Sequence, residues 1–171
     1  MIMKSRPGTY ALILKVNVPF EISVGKLGSL CGEKGFYIYC GSAFGPGGVK
    51  ARTTHHAGQS QRPHWHIDYL RPIATISEIW YSYDPVKREH DWTNALLDDQ
   101  QISLPFIGFG SSDCSCRSHL LFSNQHPSFH RFVRKIHTQF ADHKTISRFG
   151  NESDFSLKAG QRVTRKSTPG N

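Results

Sequence analysis

The sequence predicts one small α/β domain with a mostly antiparallel sheet, and three observations carry that prediction. Short runs at 8–18, 35–41 and 73–83 are apolar in the alternating or continuous manner of strands. Helical patterns bounded by Pro or Gly lie at 49–57, 85–97 and 128–140. The 171 residues, 37% hydrophobic and 20% charged, suffice for one core but not for two domains with a linker.

Each element has its own local reason. Strand 8–18 follows a Pro-Gly start, and 20–24 is placed to return against it as a short second strand. Segment 35–41 is aromatic and β-branched between glycines, the pattern of a buried strand. A Gly-rich turn over 41–48 leads into helix 49–57, which Gly58 stops. Residues 64–70 read as a short helix entered through Pro63 and ended by Pro72. Strand 73–83 precedes helix 85–97, which has Pro85 at its start and turns Trp92, Ala95 and Leu96 inward. A loop around Gly108 and Gly110 and a turn at 113–116 lead to a last strand at 118–122 and a helix at 128–140. Beyond His143 the apolar content collapses, so the expected division is a folded domain at 6–143 and a basic flexible tail at 144–171.

Charge narrows the partners. The chain holds 21 Lys and Arg against 13 Asp and Glu, a net +8 with a pI near 9.5. Residues 1–137 keep +5 of this, so the excess is not confined to the tail, and a polyanion such as nucleic acid fits as a partner. The longest apolar run is far short of the ~20 residues of a membrane span. The first residues lack a signal peptide's apolar segment, and four cysteines are too few for a secreted disulfide scaffold. A cytoplasmic protein with reduced thiols is expected.

Several clusters have chemical potential. Gly8-Thr9-Tyr10 and Tyr39-Cys40-Gly41 lie at strand ends, where two phenols can share one face beside bare backbone. Arg52 and His56 are four apart on a helix and share a face; Arg binds phosphate as a fork and His exchanges protons near neutral pH. Glu89 is a carboxylate suited to a hard divalent ion. Each also has a plain structural reading: core tyrosines, a solvated helix face, a surface charge beside Lys87 and Arg88. Cys114, Cys116 and His119 offer three soft ligands, with Cys31 or Cys40 as a fourth, but the spacing is poor for zinc. A turn in which Asp113 caps backbone amides is the expected reading there. In the polar aromatic run at 64–69, His66 or Asp68 can border a cleft, or the segment packs and hydrogen-bonds the sheet.

Taken together, these pieces resemble the GIY-YIG endonuclease superfamily, with Tyr10, Tyr39, Arg52, His56 and Glu89 in its order. The strings YIYCGSAFGPGGVKARTTHH, HWHIDYL and GFGSSDCSCRSHL are similar to one uncharacterised subgroup, members of which are fused to an endonuclease III-type glycosylase. The resemblance covers about residues 6–124. It implies a compact three-stranded antiparallel sheet flanked by helices and a one-metal phosphodiesterase site acting on DNA, in repair or on single-stranded or branched intermediates. By that resemblance Tyr10 activates or positions the attacking water and Tyr39 lines the site. Arg52 stabilises charge on the scissile phosphate, His56 assists proton transfer and Glu89 holds Mg²⁺ or Mn²⁺. The 28 residues between the triplets and the long loop after Gly41 exceed the superfamily's usual spacings, and an asparagine-containing C-terminal motif is missing. Two alternatives accompany the nuclease: a catalytically weak or inactive nucleic-acid-binding module of the same fold, and a zinc-stabilised interaction domain.

Overall fold

The computed structural model describes residues 3–58, 62–111 and 114–150. Its frame is a six-stranded, wholly antiparallel sheet. In spatial order it runs β6 (Ile102–Ser103), β7 (Leu120–Ser123), β4 (Gly35–Ser42), β1 (Thr9–Val16), β5 (Thr75–Ser82) and β8 (Ile146–Phe149). A separate hairpin pairs β2 (Phe20–Val24) with β3 (Gly28–Gly32). The helices are α1 (Gly48–Ala57), α2 (His66–Leu70), α3 (Glu89–Leu97) and α4 (Phe129–Gln139).

The expected three-stranded sheet is therefore too narrow. Strands β4, β1 and β5 form its centre, but β6, β7 and β8 extend it on both sides. The outer additions β6 and β8 are two and four residues long, too short and too polar to stand out as strands in a sequence. Nor does 20–24 return against β1: it pairs with the Gly-rich β3, and this hairpin occupies the long insertion between the two Gly/Tyr triplets. The body also continues past 143, because Ile146–Phe149 pairs with Ile79–Ser82 of β5. The rest of the expected tail, 151–171, lies outside the described residues, as does Asp113.

Helix α3 starts at Glu89, four residues after Pro85. The intervening turn is held by Asp84, whose Oδ1 accepts the Val86 N–H at 2.9 Å.

Alternation along the central strands, interrupted by a bulge in β5 opposite Ile13 and Leu14, splits the interior into two cores. Tyr10, Leu12, Leu14, Tyr37, Tyr39, Ile79 and Tyr81 face one side, beneath α1, α2 and the hairpin. Ala11, Ile13, Ile38, Cys40 and Trp80 face the other, beneath α3 and α4. There Trp80 stacks on Phe132 with ring centroids 5.1 Å apart.

Candidate functional site

Register builds the first part of the site. Tyr10 on β1 pairs with Gly41 on β4, and Leu12 pairs with Tyr39. A Cβ on Gly41 would lie 2.6 Å from the Tyr10 hydroxyl, so the bare glycine is what lets the phenol cross the neighbouring strand. The ring thereby reaches α1, where the Tyr10 hydroxyl lies 2.9 Å from His56 Nε2. Tyr39 meets the same imidazole edge-on at 6.2 Å between centroids.

His56 Nδ1 in turn faces Asp68 Oδ1 at 3.5 Å. Asp68 belongs to α2 and caps it, its Oδ2 accepting the N–H groups of His64 at 2.9 Å and Trp65 at 3.0 Å. His55 Nε2 also approaches that oxygen, at 3.5 Å. With a proton on Nδ1 facing the carboxylate, Nε2 is the acceptor for the Tyr10 O–H. Tyr10, His56 and Asp68 thus line up as a relay with 2%, 1% and 4% exposure, in which His56 Nδ1 is buried without a hydrogen-bond partner 3.5 Å from the carboxylate.

Burial sets the electrostatics. It raises the Tyr10 phenol well above its ordinary range, with Tyr39 and Asp68 adding to the rise and Arg52 opposing it. Burial likewise raises Tyr39. It lowers His56, partly offset by Asp68, so the imidazole is neutral near pH 7. Burial also acts to raise the Asp68 carboxyl, but His56 and the Trp65 and His64 amides outweigh it and hold Asp68 well below the usual carboxylate range.

Arg52, one turn before His56, lies over the Trp65 ring at 4.2 Å. It lines an open cleft of about 200 Å³ with Ala43, Pro46, Ala51, His55 and Trp65. A larger cavity, about 530 Å³ between α3 and α4, is lined by Leu96, Asp98, Asp99, Arg131, Phe132 and Lys135 and includes none of the candidate residues. Arg71 secures the end of α1 by donating from Nε to the His56 carbonyl at 2.6 Å and from its guanidinium to the Ala74 carbonyl.

Glu89 stands at the margin. The Arg88 N–H donates to Thr9 Oγ1 at 3.0 Å, which fixes the start of α3 at the Tyr10 end of β1. Glu89 is 9% exposed, and its Oε2 is buried without a hydrogen-bond partner. Its charge acts on Tyr39, Cys40, Cys116 and His119. Among the described residues no hydrogen bond or ion pair joins it to Tyr10, Arg52 or His56. An orphaned buried carboxylate oxygen fits a hard cation, which supplies the missing partner.

His66 does not join the relay: its Nδ1 accepts the Gly110 N–H at 2.9 Å. Gly110, with φ of 73°, packs where a Cβ would lie 2.8 Å from the Tyr39 ring, so His66 acts on Tyr39 through this loop. Among the described residues two groups have metal-ligand composition: His55, His56 and Asp68, and a second group of His90, Cys114, Cys116 and His119. From the sequence alone Asp68 is at most a residue at a cleft border, and Trp65, Arg71 and His90 carry no signal of a site. A signal for Asp68 was present, since an Asp three residues after the N-cap, here Trp65, is a capping position.

A family model, the domain of unknown function DUF123, matches residues 9–142, and the chain belongs to that family. No curated protein and no solved structure gives a significant match. No helix of the described residues is long and apolar enough to cross a membrane.

Proposed function

We propose that the protein is a divalent-metal-dependent endonuclease of the GIY-YIG type, hydrolysing DNA phosphodiester bonds, with a role in DNA repair in the cytoplasm. The observation that carries this reading is the Tyr10–His56 contact at 2.9 Å, with Arg52 one helical turn away on the same helix. Net charge of +8 supports a polyanionic substrate, and four free cysteines suit a reducing compartment.

In this reading Arg52, steadied on Trp65, binds the phosphate and neutralises charge that builds on its oxygens. The attacking water yields its proton to the Tyr10 hydroxyl as the phenol passes its own to His56 Nε2, and Asp68 stabilises the resulting imidazolium. The new bond joins the water oxygen to phosphorus, the bond to the leaving oxygen breaks, and solvent protonates that oxygen. Glu89 would hold Mg²⁺ or Mn²⁺, which supplies Lewis-acid stabilisation of the leaving oxygen. Tyr39 closes the apolar wall behind His56.

One observation favours a second reading. Tyr10 and His56 are almost fully buried, where substrate and water have little access, and a module of this fold that binds nucleic acid with little or no cleavage accounts for that. Labelled single-stranded, duplex and branched DNA, incubated with Mg²⁺, Mn²⁺ or chelator, separates the two. Metal-dependent cleavage that chelator abolishes is expected; tight binding of all substrates with no product in either metal would leave the binding module.

A further inference from the structure

The second ligand group lies outside the proposed catalytic relay and draws on two separated stretches of chain. His90 comes from the first turn of α3, Cys114 and Cys116 from the segment before β7, and His119 from the residue immediately preceding that strand. Their ligand atoms all lie within 4.8 Å of one another. His90 Nδ1 is 2.5 Å from Cys116 Sγ, and Cys114 Sγ is 3.2 Å from His119 Nε2. A tetrahedral zinc ion with bonds of about 2.3 Å to sulfur and 2.0–2.1 Å to nitrogen needs its ligand atoms roughly 3.3–3.8 Å apart. Closing this set on an ion takes shifts on the order of 1 Å. Cys31 and Cys40, the two alternatives for a fourth ligand in the sequence, are not among the group.

The surroundings orient the donors as a metal site requires. His119 Nδ1 lies 3.2 Å from the Cys40 carbonyl. Donation there fixes the tautomer that leaves the Nε2 lone pair facing Cys114. His90 turns its other nitrogen, Nε2, to Glu89 Oε1 at 3.7 Å, a carboxylate behind an imidazole ligand. The two imidazole rings meet nearly at right angles, 5.2 Å between centroids. His119 is buried and the other three are half-buried, which leaves a path for an ion.

We propose that His90, Cys114, Cys116 and His119 bind one zinc ion that fastens the Cys114–Cys116 segment to the start of α3. Two thiolates and two imidazoles select zinc over the oxygen-seeking Mg²⁺ or Mn²⁺. Four protein donors complete the tetrahedron, so the site is structural and has no open position for chemistry. Because Glu89 precedes His90, the ion also fixes where that carboxylate stands. The zinc assignment does not depend on the nuclease reading and is measured without DNA.

Elemental analysis of the full chain, purified with reductant and without chelator, tests it. About one zinc per chain is expected, falling at least tenfold in Cys116→Ser and His119→Ala and unchanged in Cys31→Ser. Where a variant fails to fold, X-ray absorption of the zinc-bound parent protein decides, with two sulfur and two nitrogen neighbours expected. Protein grown with cobalt should show the intense visible bands of a tetrahedral thiolate site. The proposal is overturned by near-zero zinc after incubation of the reduced protein with Zn²⁺, by full zinc retention in Cys116→Ser, by a Cys114–Cys116 disulfide in the freshly purified protein, or by an all-oxygen/nitrogen shell.

Discussion

The hydroxyl of Tyr10 and Nε2 of His56 lie 2.9 Å apart although 46 residues separate them in the chain. Gly41 makes the meeting possible, because the phenol crosses β4 at a position without a Cβ. Gly41→Ala should therefore push the ring off His56 and cost about 1–3 kcal/mol by overpacking. Chemical denaturation measures the cost, and unchanged stability with an unshifted Tyr10 resonance would contradict it.

Glu89→Gln separates stability from activity. The buried Oε2 has no hydrogen-bond partner, so removing the charge should leave the melting temperature unchanged or raise it. Metal-dependent cleavage should fall by a factor on the order of 100 or more through the lost ligand. Arg52→Ala should match that fall while leaving the fold intact, since its guanidinium rests on Trp65 at the cleft rather than in the core. A Glu89→Gln protein that cleaves at the parental rate with Mg²⁺ removes Glu89 from the metal role.

Acid should weaken the fold in two stages. Burial lowers His56 and His143 below the ordinary histidine range. Between pH 7 and 5 the unfolded chain, titrating near 6.5, takes up protons that the folded chain resists, so stability falls as pH falls. Asp68 and Asp84 are held below the usual carboxylate range despite burial, and their contribution is present above about pH 4 and lost below it. Thermal melts from pH 8 to 3 should show both declines. A melting temperature that is flat or rising from pH 7 to 5 contradicts the histidine stage.

Two truncations should behave differently. A chain ending at Gly150 keeps β8, including Arg148, which pairs with Glu78 at 3.5 Å and lies over Phe129. It should fold like the parent but bind DNA with a shallower salt slope, having lost Lys158, Arg162, Arg165 and Lys166. Ending at His143 instead strips an edge strand from β5 and should lower the melting temperature. Equal salt slopes for the parent and the Gly150 chain would show that those four cations do not engage DNA.

What was legible in the sequence follows from how completely each element is buried. Strands β1, β4 and β5 are apolar on both faces and announce themselves. Strand β8, Ile146-Ser147-Arg148-Phe149, lies at an edge with one apolar residue on each face and no period-2 pattern, and so reads as tail. Arg52 and His56 were legible because four-residue spacing on a helix is a local rule. His90 was not, because nothing local links it to Cys116, 26 residues later. They meet because α3 packs against β4 while His119, three residues after Cys116, pairs with Cys40 of that strand.

The β2–β3 hairpin forms its own two-stranded sheet, and its Val24 packs into the core beneath it without a backbone ladder to β1 or β4. The connection between the two tyrosine-bearing strands can therefore lengthen or shorten without moving either strand along the other. Tyr10 stays opposite Gly41 whatever the length of the detour, so insertions at 17–34 alter the roof over the sheet while the alignment of the phenols beneath it is inherited intact.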